Sequence, residues 1–243
     1  VPKVYFDERI AALYDATASH MYDPSVLGPT VDLLADLAGD GAALEFAIGT
    51  GRVALPLHAR GVRVAGIDLS DAMVSHLRAK ANAGEIDVTI GDIASTRADG
   101  TFRLVYLVFN TITNLLTQDA QVECFRNAAA HLEPGGCFLI EVGVPDLRRL
   151  PPGERTRVFT TTPSYIGFDE YTDVPGQILY SHHWWTQDGK VEIFSAPYRY
   201  VFPSELDLMA RLTGLSLQSR WGGWNREPFT ADSTSHVSVW AKP

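Results

Sequence analysis

A glycine turn carries the first chemical signal in this chain. Glu45-Phe46-Ala47-Ile48-Gly49-Thr50-Gly51-Arg52 runs from an apolar stretch through two positions without side chains into a helical pattern. A ligand can lie against the backbone at Gly49 and Gly51, and the helix that follows presents free N–H groups. Dinucleotide and phosphate sites share this geometry, but the third glycine of the dinucleotide fingerprint is Ala54 here. Asp68 closes a second apolar stretch, where a carboxylate can accept both ribose hydroxyls of an adenosine. Its other reading is local, as a partner of the helix that Ser70 caps. Gly91-Asp92-Ile93 and Phe109-Asn110-Thr111 repeat the pattern, each a polar group leaving an apolar run.

These groups need a scaffold that brings strand ends together. Short apolar runs at 43–48, 62–69, 86–91, 102–109 and 137–142 read as strands, with helical patterns at 28–37, 52–60, 71–81 and 118–132 between or before them. Strands without polar alternation are those buried on both faces of a parallel sheet, and their alternation with helices gives a doubly wound α/β sheet. The opening, residues 5–22, reads as a helix followed by an irregular stretch at 21–24. After Pro145 the texture changes to β-branched and aromatic segments broken by Pro-Gly turns. Asp188-Gly189 marks a two-residue hairpin between 178–187 and 190–202. That turn pairs Thr186 with Val191, Trp184 with Ile193 and His182 with Ser195, so His182 and His183 face opposite sides. A helix at 204–212 and strands at 215–221 and 235–241 close the sheet.

The order of these pieces resembles the class I S-adenosylmethionine-dependent methyltransferases. Glu45 with Gly49 and Gly51 matches the first motif of that family, Asp68 and Asp92-Ile93 the next two. His131-Leu132-Glu133-Pro134-Gly135-Gly136 is similar to the turn that precedes its fifth strand. The resemblance covers residues 5–143 and returns at 203–241. It implies a Rossmann-like seven-stranded sheet with an antiparallel β insertion after the fifth strand. The core would be 1–144 and 203–243, and the insertion 145–202 would cover the acceptor. It also implies S-adenosylmethionine as cofactor, with Glu45 under its amino-acid end and Asp92 on the adenine amino group beside the Ile93 amide. Thr50, Arg52, Leu69, Phe109 and Asn110 would complete the site. The chain looks like the small-molecule branch, including amino-sugar N-methyltransferases of antibiotic pathways; by that likeness Tyr14 and Tyr22 would cover the cofactor.

The expected reaction is in-line methyl transfer to oxygen or nitrogen of a small molecule, which needs a nucleophile about 3 Å from the methyl carbon. A neutral amine needs only positioning, whereas a hydroxyl benefits from a base. The candidates are His182 and His183 on the hairpin, His20 in the opening segment, and polar Asn110 and Asn114 past the fourth strand. Part of the aromatic set Trp184, Trp185, Tyr198, Tyr200, Trp221 and Trp224 could wall an acceptor site. Arg199 reads either as an acidic-group binder or as a surface salt bridge.

Composition narrows the class. A formal charge of −9 with scattered basic residues argues against a nucleic-acid partner. Two cysteines outside any CxxC pair, Cys124 and Cys137, read as buried hydrophobes rather than metal ligands. The absence of a long apolar run and of a leader pattern makes the cytoplasm the expected compartment and no membrane partner expected. A homodimer is left open. Two rival readings remain at this point, an NAD(P)-dependent oxidoreductase and a non-catalytic cofactor-binding regulatory module. The first lacks a full dinucleotide fingerprint and a Tyr-x-x-x-Lys pair.

Overall fold

A computed structural model describes residues 5–17, 19–80, 82–187 and 189–243. Asp188 of the hairpin turn and the side chain of His20 lie outside the described residues. The chain opens with α1 (Glu8–Thr17), a 3-10 turn at Ser19–Tyr22 and α2 (Pro24–Ala38). It then alternates β1 (Ala42–Phe46), α3 (Ala54–Ala59), β2 (Arg63–Asp68), α4 (Asp71–Arg78), β3 (Asp87–Ile90), β4 (Phe102–Leu107), α5 (Gln118–His131) and β5 (Leu132–Gly143). Four strands follow without an intervening α-helix: β6 (Thr156–Thr162), β7 (Tyr165–Asp173), β8 (Ile178–Gln187) and β9 (Lys190–Arg199). Then α6 (Pro203–Leu212), β10 (Ser216–Trp221) and β11 (Ser235–Ala241) end the fold.

The large sheet has the order β10-β11-β5-β4-β1-β2-β3. β1 pairs in parallel with both β2 and β4, whereas β11 is antiparallel to β5 and β10. The chain therefore winds outward from β1 in one direction and then from β4 in the other, and ligands of open α/β sheets bind beyond the carboxyl ends at such a reversal. The core lies on both faces of the sheet. Leu34, Leu57, Leu104 and Leu139 pack on one side, and Phe46, Phe125, Phe138 and Trp240 on the other. Phe125 meets both Phe138 and Trp240 edge to face, at 5.0 and 5.3 Å between ring centres. Cys124 and Cys137 are free and buried.

The second sheet, β6-β7-β8-β9, is antiparallel throughout. Its hairpin has the expected register, with Thr186 opposite Val191, Trp184 opposite Ile193 and His182 opposite Ser195. Several boundaries differ from the sequence expectation. α2 begins at Pro24 rather than Gly28, because the Asp23 carboxylate caps the Ser25 amide and proline suits the first helical position. α3 begins two residues late, since the Gly51 amide bonds to the Ile48 carbonyl and the turn uses 51–53. β9 stops at Arg199, where Tyr200 turns its amide to the Gln177 carbonyl. No described helix is long and apolar enough to cross a membrane.

Candidate active site

The glycine turn is built from positive backbone angles. Ala47, Gly49 and Gly51 have φ of 57°, 58° and 79°, a region that side chains disfavour by roughly 1–2 kcal/mol. At Gly51 a Cβ would lie 2.3 Å from Leu77 Cδ1, so close helix packing and the left-handed angle both demand glycine. Phe109 and Asn110, just past β4, also have φ near 60° (58° and 60°). Such outliers collect where neighbours over-determine the backbone, commonly at functional sites. Here they lie along one edge, the carboxyl ends of β1 and β4.

Three carboxylates face this edge. Glu45 is 3% exposed and accepts the Tyr106 hydroxyl at 2.8 Å. Burial lifts its carboxyl to about 8, against the pull of Tyr106 and Arg52. Asp68 takes the Gly49 amide on Oδ2 at 2.7 Å and the Ser70 amide on Oδ1 at 2.8 Å, so it fixes the turn and the start of α4 together. Its two oxygens carry four lone pairs between them, so acceptor capacity remains beyond these amides. Burial raises its pKa too, opposed by the Ser70, Gly49 and Leu69 amides. Glu141 on β5 accepts the Phe109 amide at 2.6 Å, and burial raises it likewise, opposed by that amide and by Arg52. Among the described residues none of the three has a Lys, Arg or His nitrogen within 4.0 Å. Arg52 is a cation that acts on Glu45 and Glu141, and its guanidinium carbon sits 5.3 Å from the centre of the Phe109 ring.

The amino-terminal segment closes over this edge. Tyr14 on α1 is electrostatically close to Arg52, Asp68 and Glu45, and burial raises its pKa. Tyr22 donates its hydroxyl to Asp15 and meets Thr50 Oγ1 at 3.1 Å. Thr50 Oγ1 donates to Asp15 at 2.6 Å. Lys80, two residues past α4, bonds the Thr50 carbonyl at 2.7 Å and Asp15 at 2.6 Å. Burial alone would raise the Asp15 carboxyl, but hydrogen bonds from Lys80, Thr50 and Tyr22 outweigh it and hold it low. Beside this clasp is a cavity of about 460 Å³, lined by Asp15, Tyr22, Gly51, Arg52, Leu55 and Lys80 among others.

The structure thus brings Tyr14, Tyr22, Glu45, Gly49, Thr50, Gly51, Arg52 and Asp68 together. Leu69 is half-buried one residue beyond Asp68. Asp92 lies past β3 and accepts the Ala94 amide on Oδ1 at 2.9 Å, and Ile93 beside it is buried. Phe109 is 42% exposed at the edge. Asn110 spends its carbonyl oxygen on the Gly143 amide at 2.6 Å, tying β4 to β5.

On the second sheet the two histidines part company. His183 lies on the covered face: its Nδ1 meets the Tyr165 hydroxyl at 2.6 Å, and its ring packs against Phe194. Phe194 packs on Phe6, which packs on Tyr14. Burial lowers the His183 pKa, and His182 adds to the effect. His182 faces the other way, stacked on Phe168 and bonded to Ser195 Oγ at 2.8 Å. It shares that face with Tyr180, Trp184 and Ile193, which are 39%, 42% and 49% exposed. Asn114 is exposed at the end of a 3-10 turn.

Arg199 corrects both sequence readings. It is 4% exposed, bonds to Gln121 of α5, and reaches Gln177 at 2.5 Å and Glu205 of α6 at 2.6 Å. It is neither a surface pair nor free to take a ligand. Trp221 and Trp224 pack against the core rather than the second sheet.

Glu141, Asp15 and Lys80 escaped sequence reading. Glu141 interrupts the apolar run of β5, a signal in itself, but its partner Phe109 is 32 residues away. Asp15 directly follows Tyr14, but nothing local connects it to Lys80.

The donor set fits a positively charged nucleoside. Buried carboxylates without an ion-pair partner are costly, so a ligand bearing positive charge is favoured beside buried Glu45 and Asp68 and half-buried Glu141, with side-chain-free backbone next to them. Comparison with known proteins agrees. The family described as Methyltransferase domain matches residues 43–136. The chain is 28% identical to the cypemycin N-terminal methyltransferase of a Streptomyces species, over 94% of this chain and 97% of that one. It superposes with a TM-score of 0.82 on the CcbJ methyltransferase from Streptomyces caelestis, at 32% identity over 93% of this chain and 96% of the other. The fold is shared, at TM-score 0.70 and 20% identity over 99% of both chains, with S-adenosylmethionine-bound CalS10 from Micromonospora echinaspora, an amino pentose methyltransferase of calicheamicin biosynthesis.

Proposed function

The chain belongs to the S-adenosylmethionine-dependent methyltransferases, and from that premise we propose that it methylates a nitrogen of a small-molecule acceptor. The observation that carries the site assignment is the pair of buried carboxylates, Glu45 and Asp68, with half-buried Glu141 beside them, none of the three ion-paired at the carboxyl edge of the sheet. When bound, S-adenosylmethionine supplies a methyl group on a positively charged sulfur, an electrophile that needs no metal and no acid.

The chain's own residues hold and shield it. Gly49 and Gly51 let the backbone approach. Asp68 accepts ribose hydroxyls on its remaining lone pairs, and Asp92 with the Ile93 amide takes the adenine edge. Glu45, Thr50 and Arg52 surround the amino-acid end, where the cavity beside Arg52 offers room. Leu69, Phe109 and Asn110 form the rim. Tyr14 and Tyr22 exclude water from above, which strengthens each polar contact beneath them. In this reading 145–202 is the acceptor-covering insertion on a core of 1–144 and 203–243.

Nitrogen is favoured by the covered face of the insertion and by the relatives' names. His183 is held neutral by burial and engaged by Tyr165, and a neutral amine needs alignment more than a base. The full-length relatives include an N-terminal methyltransferase, and a shared fold is that of an amino pentose methyltransferase. A hydroxyl acceptor is the second reading, favoured by the same neutral His183, which could take its proton. His182, on the outer face, has no part in either.

Calorimetric titration with S-adenosylhomocysteine should show saturable binding, and NADH should show none. Labelled methyl transfer should then appear with amino sugars and small peptides having free amino ends, and not with phenols. Transfer to phenols alone would reverse the choice of atom; no heat with S-adenosylhomocysteine would remove the site assignment.

A further inference from the structure

A fourth carboxylate faces the covered side of the insertion. Asp169 of β7 lies opposite Ser181 of β8, and Ser181 opposite Ala196 of β9, so the three share one face. Alternation puts His183, Phe194 and Tyr198 on that face as well. It is the inward face: Ser181 and Ala196 are buried, at 9% and 2% exposure, and Phe194 rests on Phe6 against Tyr14. Tyr198 lies between the two halves, close enough to feel both Tyr14 and Asp169. Tyr14 in turn feels Asp68 and Glu45. Ring contacts therefore run from Tyr14 through Phe6 to Phe194, on the face of the second sheet that also carries Tyr198 and Asp169.

Asp169 has Ser181 beside it across the strand pair, and the Ser181 hydroxyl lies 3.4 Å from His183 Nε2. Arg157, opposite it on β6, reaches toward Asp146 instead, at 3.8 Å. Among the described residues no basic nitrogen lies within 4.0 Å of Asp169. Burial accordingly raises its pKa, with Ser181, Arg157 and His182 opposing.

We propose that Asp169 is the acceptor-recognising carboxylate of this enzyme and selects an amine, facing the nitrogen across the rings of Tyr14 and Tyr198. The inference rests on the methyl-transfer reading and deepens it. In that transfer the lone pair of a neutral amine forms the N–C bond as the C–S bond breaks, and the C–S pair stays on sulfur. The positive charge passes to nitrogen, which afterwards releases a proton to water. A fixed carboxylate stabilises that charge as it develops, and the electron-rich ring faces of two tyrosines favour the same cation. A hydroxyl acceptor that has given up its proton is an anion and becomes a neutral ether on methylation, so no positive charge develops for Asp169 to stabilise and the two negative groups repel.

The test is a titration of S-adenosylhomocysteine-loaded protein with two probes of equal shape, benzylammonium and benzyl alcohol. Wild type should bind the ammonium roughly tenfold more tightly, as a charge-assisted contact implies. Asp169→Asn should abolish the preference, and Asp169→Glu should retain most of it, with the affinity for S-adenosylhomocysteine unchanged in both. Equal affinity of the two probes for wild type, failure of both to bind, or a preference that survives Asp169→Asn overturns the inference. The wild-type comparison decides it even where the Asn variant does not fold. Failure of S-adenosylhomocysteine itself to bind would overturn the underlying reading instead, so the two failures are separable.

Discussion

Glu45 and Asp68 reach the crevice on strands flanked on both sides by other strands, whereas Asp169 and His183 stand on a four-stranded sheet with one face open. At the first place, backbone does most of the positioning: left-handed turns, paired amides on Asp68, and a helix start set where a ligand can lie. At the second, position is a matter of alternation along a strand, and a neighbouring residue points the opposite way. A ligand held by the first arrangement contacts parts that cannot vary without unfolding the turn. A ligand held by the second contacts side chains that can be exchanged singly. The difference teaches why one end of such a site can keep a common cofactor while the other changes acceptor.

The strongest attempt to break this separation is Arg199→Ala, because Arg199 joins the two regions. Removing it leaves Gln121 Oε1 without its partner and the Glu205 carboxylate with Gln118 and Gln177 but no cation, and stability should fall by about 3 kcal/mol, read from urea unfolding. A loss below about 1 kcal/mol would mean the insertion is held by other contacts.

Next in size is Asp68→Ala. It should weaken S-adenosylhomocysteine binding by about 2–3 kcal/mol through two lost charge-assisted bonds, while a fluorescent probe of the second sheet, Trp184, reports no change. Altered Trp184 emission would show the two regions to be less independent than their construction suggests.

A pH measurement sharpens the first region alone. In the folded chain Glu45 keeps its proton up to about 8, against an ordinary value of 4.5. The folded state therefore binds a proton that the unfolded chain has lost. Its contribution to stability is full below about 4.5 and disappears as pH rises through about 8. Glu45→Gln should flatten the decline of Tm over that window in the ligand-free protein; an unaltered slope would show that Glu45 is not its source.

The smallest effect concerns the two histidines. His183→Ala loses the Tyr165 bond and should raise KM for an amine acceptor by a factor corresponding to about 1 kcal/mol. His182→Ala, on the outer face, should leave kcat and KM unchanged. Equal loss in both would contradict the assignment of faces.

The first region was the more legible in the sequence, for the same physical reason. Gly49, Gly51 and Asp68 announce themselves by type and by their place at the end of an apolar run. The register of β8 and β9 was also readable, since a two-residue turn fixes it. Which face of that hairpin is covered was not, because the answer comes from Phe6 and Tyr14, far away in the chain. Glu141 and Phe109, Asp15 and Lys80, and the partners of Arg199 were hidden for the same cause. Each is a contact between segments that only the sheet order brings together.

Arg199 has a consequence for traffic through the enzyme. Its guanidinium, at the last residue of β9, is gripped by α5, by Gln177 and by α6, which makes the four-stranded sheet a fixed wall rather than a swinging door. Passage in and out then belongs to the opposite side, where Lys80 and Thr50 clasp Asp15. Those bonds can part and re-form with water standing in, so the Lys80 and Tyr22 side chains can move aside while α1 stays seated through Ala11 in the core and Phe6 on Phe194.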